Sequence, residues 1–135
     1  MIKKRLLLSL AAILALQSFL LSSCSKKETV DDSLPLVTND AQIPTYVFYY
    51  ANWCGYCHKM APNVAQAAKV FKNKVFFYYV DIDSKEGIEF SKRYRPNGKG
   101  VPFAQYYDKE GHLIASRVGY IDYAQLERSV QALIE

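Results

Sequence analysis

Two cysteines separated by two residues, Cys54 and Cys57, constrain this chain more than any other feature. They follow Tyr46–Ala51, an aromatic and β-branched run that predicts a buried strand. The next segment, Tyr56–Phe71, has helical periodicity. The pair is therefore expected at a junction between a strand and a helix, where two thiols this close in sequence can form and break a disulfide.

The start of the predicted helix favours a thiolate at the first cysteine. Unpaired N–H groups and the positive end of the helix dipole lower a thiol pKa from ~8.5 to roughly 3.5–7.5. Cys54 lies nearest this end and is predicted to be the nucleophile. Cys57 falls in the first turn and is predicted to attack the mixed disulfide that Cys54 forms with a substrate. The residues predicted to support this site are Trp53, Gly55, Tyr56 and His58.

The aromatic and imidazole neighbours have separate expected roles. Trp53 and Tyr56 are expected to be partly exposed beside the thiols, where their rings can shield the site and touch substrate. The alternative for Trp53 is a place in the core. His58, as an imidazolium, is expected to stabilise negative charge on Cys54.

Three other chemistries fit the same motif. Cys-x-x-Cys-His is the attachment signature of a c-type haem, with His58 as iron ligand. The strand-rich context argues against haem, as do the candidates for the opposite ligand, Met60 beside the motif and His112. A structural zinc site lacks a second cysteine or histidine pair. A structural disulfide is disfavoured because so small a ring is easily reduced.

The first residues predict an export signal. Lys3-Lys4-Arg5 is a basic start, Leu6–Leu21 is an apolar core, and Leu21-Ser22-Ser23-Cys24 is similar to the end of a bacterial lipoprotein signal. This resemblance implies cleavage before Cys24 and attachment of acyl chains to that cysteine. A transmembrane anchor is the alternative, but about sixteen apolar residues are short for a bilayer that needs ~20.

These observations divide the chain into a signal at 1–23, a lipidated cysteine and tether at 24–43, and one domain at 44–135. Within the tether, a short first strand through Leu34, Leu36 and Val37 stays open. Removing the three basic signal residues from seventeen leaves fourteen, against thirteen acidic ones. No nucleic-acid partner is therefore expected. Export also implies an oxidising compartment.

The domain is predicted to have the order β-α-β-α-β-β-α, a mixed sheet with helices on both faces. Its second strand, Val75–Val80, is continuously apolar, as a strand buried on both faces would be. The later elements are a helix at Lys85–Tyr94, hairpin strands at Phe103–Tyr107 and His112–Val118, and a helix at Ile121–Ile134 with Asp122 as N-cap.

Four landmarks follow one another along this domain: Trp53-Cys54-Gly55-Tyr56-Cys57, Pro62, Gly100-Val101-Pro102, and the turn Asp108–Gly111 followed by Val118-Gly119. With them the chain resembles the thioredoxin family from Thr45 to Glu135. The resemblance implies an α/β, thioredoxin-like fold. It also implies a cis proline at Pro102 beside the dithiol and substrate binding by the backbone of Val101. A trans proline opening an edge strand is the alternative.

Two positions depart from cytosolic thioredoxins. Phe48 stands where those proteins keep a buried aspartate, and Tyr79 replaces the accompanying lysine. The usual proton acceptor for Cys57 is therefore missing, and the alternatives are water, His58 or a carboxylate elsewhere in the chain. The string Cys54–Lys59 is also similar to the active site of periplasmic disulfide isomerases, whose separate dimerisation domain is not expected here. Pro62 is expected to kink its helix.

Basic residues surround Pro96-Asn97-Gly98, just before Gly100. They are predicted to form a solvated basic loop, and the alternative is a rim that attracts acidic substrate segments. The residues are Lys92, Arg93, Arg95 and Lys99.

The expected function is that of a monomeric, lipid-anchored thiol-disulfide oxidoreductase of the bacterial cell envelope, facing the periplasm or the cell exterior. It is expected to reduce protein disulfides, to need no cofactor, and to be reduced again by a membrane electron donor. A disulfide isomerase or oxidase is one alternative. The other is a non-catalytic binding lipoprotein that holds copper(I) between the two thiolates.

Overall fold

The computed structural model describes residues 37–95 and 100–135. The predicted signal, Cys24 with its predicted lipid, and most of the predicted tether lie outside these residues. Within them, no helix has the length and apolar character needed to cross a membrane.

The described chain forms a four-stranded mixed sheet with three helices. Its elements are β1 (Thr45–Tyr50), α1 (Gly55–Val70), β2 (Phe76–Asp81), α2 (Lys85–Tyr94), β3 (Phe103–Tyr107), β4 (Leu113–Val118) and α3 (Tyr123–Gln131). The strand order is β2-β1-β3-β4, with β1 parallel to β2 and the other two pairs antiparallel. The predicted α/β class and element order are confirmed, and α2 and β3 have the predicted bounds.

Alternate side chains of β1 fill two separate cores, one on each face of the sheet. Tyr46 and Phe48 point towards α1 and α3, where they join a cluster that contains Met60, Val64 and Leu126. This cluster also contains both cysteines. The dithiol is thus built on the larger core.

Val47 and Tyr49 belong to the core on the opposite face, together with Phe103 and Tyr107. Phe90 of α2 packs against this second cluster. Helices therefore cover both faces of the sheet, as predicted.

The prediction that the second strand is buried on both faces is wrong. The side chains of Phe76, Tyr78 and Tyr79 in β2 are each more than two-fifths exposed. The reason is that β2 lies at the edge of the described sheet and pairs with β1 alone. Its aromatic residues pack along the strand and onto α2, as in the Tyr78–Phe90 pair with ring centroids 5.0 Å apart. Apolar sequence alone does not distinguish this packing from full burial.

Side-chain caps fix the start of α3. The Asp122 carboxylate accepts the Gln125 N–H at 2.8 Å, and the Gln125 side chain accepts the Asp122 N–H at 3.3 Å. This reciprocal capping box satisfies two N–H groups that the helix itself cannot bond. The predicted N-cap at Asp122 is confirmed.

Gly87 in α2 is required by close packing rather than by backbone conformation. An alanine Cβ at this position would overlap the backbone carbonyl of Asp81. At Gly55 in α1, an alanine Cβ would meet open space. The two helical glycines therefore form a matched pair for mutation.

We expect Gly87→Ala to lower the free energy of unfolding by about 1–3 kcal/mol, because the backbone of α2 must shift away from Asp81. This loss should appear although alanine is the better helix former by roughly 1 kcal/mol. Gly55→Ala, the control, should change stability by less than about 0.5 kcal/mol. Urea unfolding of the oxidised full chain measures both, and equal stability of the two variants would contradict the packing role of Gly87.

Candidate active site

Cys54 is the N-cap of α1. Its backbone is extended, and its Sγ accepts the Cys57 N–H at 3.1 Å. The Cys54 carbonyl in turn accepts the His58 N–H at 3.2 Å and so continues into the helix. The sulfur thus occupies the place that Ser or Asp takes at other helix starts, where unpaired N–H groups favour negative charge. This geometry agrees with the nucleophilic role predicted for Cys54.

Cys54 and Cys57 form a disulfide across the first turn of α1, with their Cα atoms 5.2 Å apart. Both side chains are buried at the edge of the larger core. The oxidised pair is therefore held by the fold rather than by a flexible loop.

An aromatic wall continues from the site into the larger core. Phe48 stacks on Tyr50 with ring centroids 5.9 Å apart and meets Tyr79 edge-on at 6.3 Å. Burial raises the pKa of Tyr79. The two positions where the sequence departs from cytosolic thioredoxins thus contact each other and replace an aspartate and a lysine by rings.

Trp53 lies on the surface beside the disulfide, with 70% of the residue exposed. Its indole Nε1 donates to the Asp83 carboxylate at 2.8 Å. Partial exposure agrees with the prediction, and the alternative of a core position is wrong. Asp83 was not predicted, because it lies in the β2–α2 turn, thirty positions away in sequence. No local pattern indicates this contact.

Tyr56 is also on the surface, with 63% of the residue exposed. The Lys59 Nζ lies 5.3 Å from its ring centroid, and the ring of Tyr120 is 6.5 Å away. Tyr120 follows Gly119, whose positive φ of 96° turns the chain after β4. Two aromatic rings from different parts of the chain therefore lie near each other on this surface.

His58 connects α1 to the loop before Cys54. Its Nε2 lies 2.8 Å from the Asn52 carbonyl oxygen. Because a carbonyl only accepts, this nitrogen carries the proton in that contact. His58 thus holds the backbone next to Trp53, while its predicted effect on the Cys54 thiolate stays a prediction.

The Val101–Pro102 peptide bond is cis, as the resemblance implies. Pro102 is buried, and its carbonyl accepts the Gly119 N–H at 2.8 Å. Val101 packs against both cores. Within the described part of the chain, no hydrogen bond engages the Val101 backbone. Val101 is therefore suited to pair with a substrate segment, the role predicted for it.

The residues considered for haem and zinc are engaged elsewhere. Met60 is buried in the larger core, and His112 contacts the Asp108 carboxylate in the β3–β4 turn at 3.2 Å. Across residues 37–95 and 100–135, no three His, Cys, Asp or Glu side chains are grouped as metal ligands. The geometry of these residues favours disulfide chemistry over both alternatives.

One residue of the predicted basic loop is not solvated. Arg95, the C-cap of α2, is only 9% exposed. Its Nη2 donates to the Gly100 carbonyl at 2.8 Å, whereas residues 96–99 of the predicted loop, with Lys99, lie outside the described residues. The prediction of a solvated loop is therefore wrong for Arg95. Composition cannot reveal this burial, because it depends on two rings of the second core.

A sequence model of the thioredoxin family, described as Thioredoxin, matches residues 26–131. The chain belongs to the thioredoxin family. The match begins inside the segment predicted as a tether. Family membership and the cysteine pair together support the predicted enzyme class, a thiol-disulfide oxidoreductase.

Several relatives share this similarity. The chain is 34% identical over 103 residues to a thiol:disulfide interchange protein TxlA homolog of Synechocystis sp., covering 76% of this chain and 56% of the relative. It is 30% identical over 90 residues to the chloroplastic thioredoxin-like protein HCF164 of Arabidopsis thaliana, covering 67% and 34%. The chain thus spans about half or less of these relatives.

The fold is similar to that of solved thioredoxins. Oxidised thioredoxin O2 of Arabidopsis thaliana has a TM-score of 0.59 and 26% identity, over 73% of this chain and 81% of that one. Oxidised mitochondrial thioredoxin 3 of Saccharomyces cerevisiae has a TM-score of 0.56 at 26% identity, over 67% and 78%. The predicted thioredoxin-like fold is confirmed.

We expect iodoacetamide at neutral pH to alkylate Cys54 at least about tenfold faster than Cys57 in the reduced protein, because the helix start favours the Cys54 thiolate. Peptide mapping after brief labelling measures the two rates. In a Cys54→Ser variant, Cys57 should remain slow. Equal labelling of both cysteines would contradict the assignment of the nucleophile.

Proposed function

We propose that this protein is a thiol-disulfide oxidoreductase of the bacterial cell envelope that reduces protein disulfides through Cys54 and Cys57. The observation that carries the proposal is the position of the Cys54 Sγ at the start of α1, bonded to the Cys57 N–H and covalently to the Cys57 Sγ. The name of the Synechocystis relative, a thiol:disulfide interchange protein homolog, supports the same class of reaction.

The reaction proceeds in two exchange steps. The Cys54 thiolate attacks one sulfur of a substrate disulfide, so that a mixed disulfide forms and one substrate thiolate leaves. The Cys57 thiolate then attacks the Cys54 Sγ, which releases the second substrate sulfur as a thiolate. Two electrons pass to the substrate, and the protein ends in the oxidised state seen in the structure.

The surroundings of the disulfide support a protein substrate. Trp53 and Tyr56 provide exposed rings next to the cysteines in sequence, and the Val101 backbone has no hydrogen bond among the described residues. An extended substrate segment can pair with Val101 while its disulfide meets Cys54.

Turnover requires an electron source. The oxidised pair must receive two electrons and two protons, and we propose a dithiol donor in the membrane for this step. A lipid anchor at Cys24 would hold the enzyme near such a donor at high effective concentration. Sequence resemblance supports this anchor and the envelope location, and more than one acyl chain gives stable membrane attachment.

A reduction potential distinguishes the proposed direction of electron flow from its alternatives. We expect the Cys54–Cys57 couple to lie near −270 mV, roughly the value of thioredoxin, because the protein is proposed to be a reductase. Equilibration of the full chain in detergent with dithiothreitol buffers, followed by quantification of free thiols, measures it. A value near roughly −120 mV would indicate an oxidase or isomerase instead.

Trapping tests the order of the two steps. Cys57→Ser should accumulate mixed disulfides between Cys54 and substrate proteins, because the resolving thiol is absent. Cys54→Ser is the matched control and should trap none. If neither variant traps protein while the native pair binds copper(I), the protein is a binder rather than an enzyme.

Labelling tests the anchor separately. We expect the native chain, expressed in a bacterial host, to incorporate radiolabelled palmitate and to sediment with membranes. Cys24→Ser should lose the label, because its hydroxyl lacks the sulfur that accepts the lipid. Cys57→Ser serves as a control that retains it. A Cys24→Ser protein that still carries the label would contradict lipidation at Cys24.

A further inference from the structure

The segment Gly100-Val101-Pro102 is held by contacts that the reaction does not explain. It leads directly into β3, and its position depends on the hydrogen bonds at its two ends. At the Pro102 end, the Gly119 N–H donates to the Pro102 carbonyl at 2.8 Å. At the Gly100 end, the contact comes from Arg95.

Arg95 is an unusual residue for such a contact, because it is buried and charged. Its guanidinium carbon lies 4.6 Å from the ring centroid of Phe103 and 5.4 Å from that of Tyr49. Among residues 37–95 and 100–135, no carboxylate forms a salt bridge with it. Burial lowers the pKa of Arg95. Burying a charge is unfavourable unless other contacts offset the lost hydration. Two aromatic faces and the Gly100 carbonyl contact the guanidinium, while its Nε has no hydrogen-bond partner among the described residues.

The rings that hold Arg95 are themselves fixed. Tyr49 of β1 lies opposite Phe103 of β3 in the sheet register. The Tyr49 hydroxyl donates to the Gln105 side chain, whose Nε2 donates to the Tyr94 carbonyl at 2.9 Å. The end of α2 and the start of β3 are therefore joined through the second core. Arg95 extends this connection from the sheet to Gly100.

We propose that Arg95 is a positioning residue that fixes the Val101 backbone for substrate pairing by holding the Gly100 carbonyl. This inference rests on the proposed function, in which Val101 receives the substrate segment. Arg95 itself touches neither substrate nor sulfur. Loss of Arg95 is therefore expected to slow the reaction with protein disulfides, whose chain pairs with the Val101 backbone. It is expected to leave the rate with small disulfides unchanged.

Two variants and a control separate this role from a general effect on the fold. Arg95→Met keeps much of the length but removes the donors, and Arg95→Lys keeps the charge but loses the planar fork. Arg93→Met is the control. Arg93 is an exposed cation on the same helix that lies over the ring of Tyr94, at 5.5 Å. Circular dichroism and thermal unfolding show which variants are folded.

The measurement is a single turnover of the reduced full chain in detergent with two oxidants, insulin and the disulfide of β-mercaptoethanol. We expect Arg95→Met to lower the second-order rate constant with insulin by about three- to tenfold, which lies within the range for the loss of one ordinary hydrogen bond. The rate with the small disulfide and the reduction potential should be unchanged. Arg95→Lys should be intermediate, and Arg93→Met should match the native protein.

Amide hydrogen exchange gives a second readout that does not depend on activity. Arg95→Met should speed exchange at Gly119, whose N–H bonds the Pro102 carbonyl, and Arg93→Met should not. Equal losses with both oxidants, or native rates with insulin and native exchange, would overturn the positioning role. If the native protein fails to reduce insulin while Gly119 responds as expected, the proposed function is wrong, and Arg95 holds the Gly100–Pro102 segment without a role in substrate pairing.

Discussion

The hydrogen bond from the Cys57 N–H to the Cys54 Sγ places the reactive sulfur at the point where β1 ends and α1 begins. A helix must have some acceptor at its start, since its first N–H groups have no partner within the helix. In this chain the acceptor is also the sulfur that we propose as the nucleophile. Burial of Tyr46 and Phe48 holds β1 in place. Because Cys54 follows β1 closely in sequence, the position of the strand determines the position of the Cys54 sulfur. The chemistry therefore depends on the same packing that makes the fold stable.

The cores on the two faces of the sheet support different parts of the candidate site. The larger core supports the dithiol through α1, whereas the second core supports the Val101–Pro102 segment through Tyr49 and Arg95. Since Tyr49 and its neighbour Phe48 are adjacent on β1 and point to opposite faces, one strand aligns both halves of the site. A change in the register of β1 would move both halves together.

The sequence predicts much of this structure because its strongest signals are local. The cysteine motif, the Asp122 cap and the bounds of α2 all follow from residues a few positions apart. What it does not predict depends on distant contacts. From the sequence alone, Arg95 is predicted to be a surface charge, because its burial depends on the rings of the second core. The Trp53–Asp83 hydrogen bond joins two turns that are distant in sequence. The exposure of the β2 side chains likewise follows from the strand order, which the hydrophobicity of the sequence does not reveal.

The aromatic wall, which includes Phe48 and Tyr79, affects how the stability of the fold depends on pH. A carboxylic acid buried at that wall would have a raised pKa, so the folded state would bind its proton more tightly than the unfolded state. Stability would then fall as pH rises above the unfolded pKa of the acid. Phe48 has no ionisable group, and burial raises the pKa of the Tyr79 phenol. The wall therefore remains equally favourable to folding from mildly acidic to mildly alkaline pH.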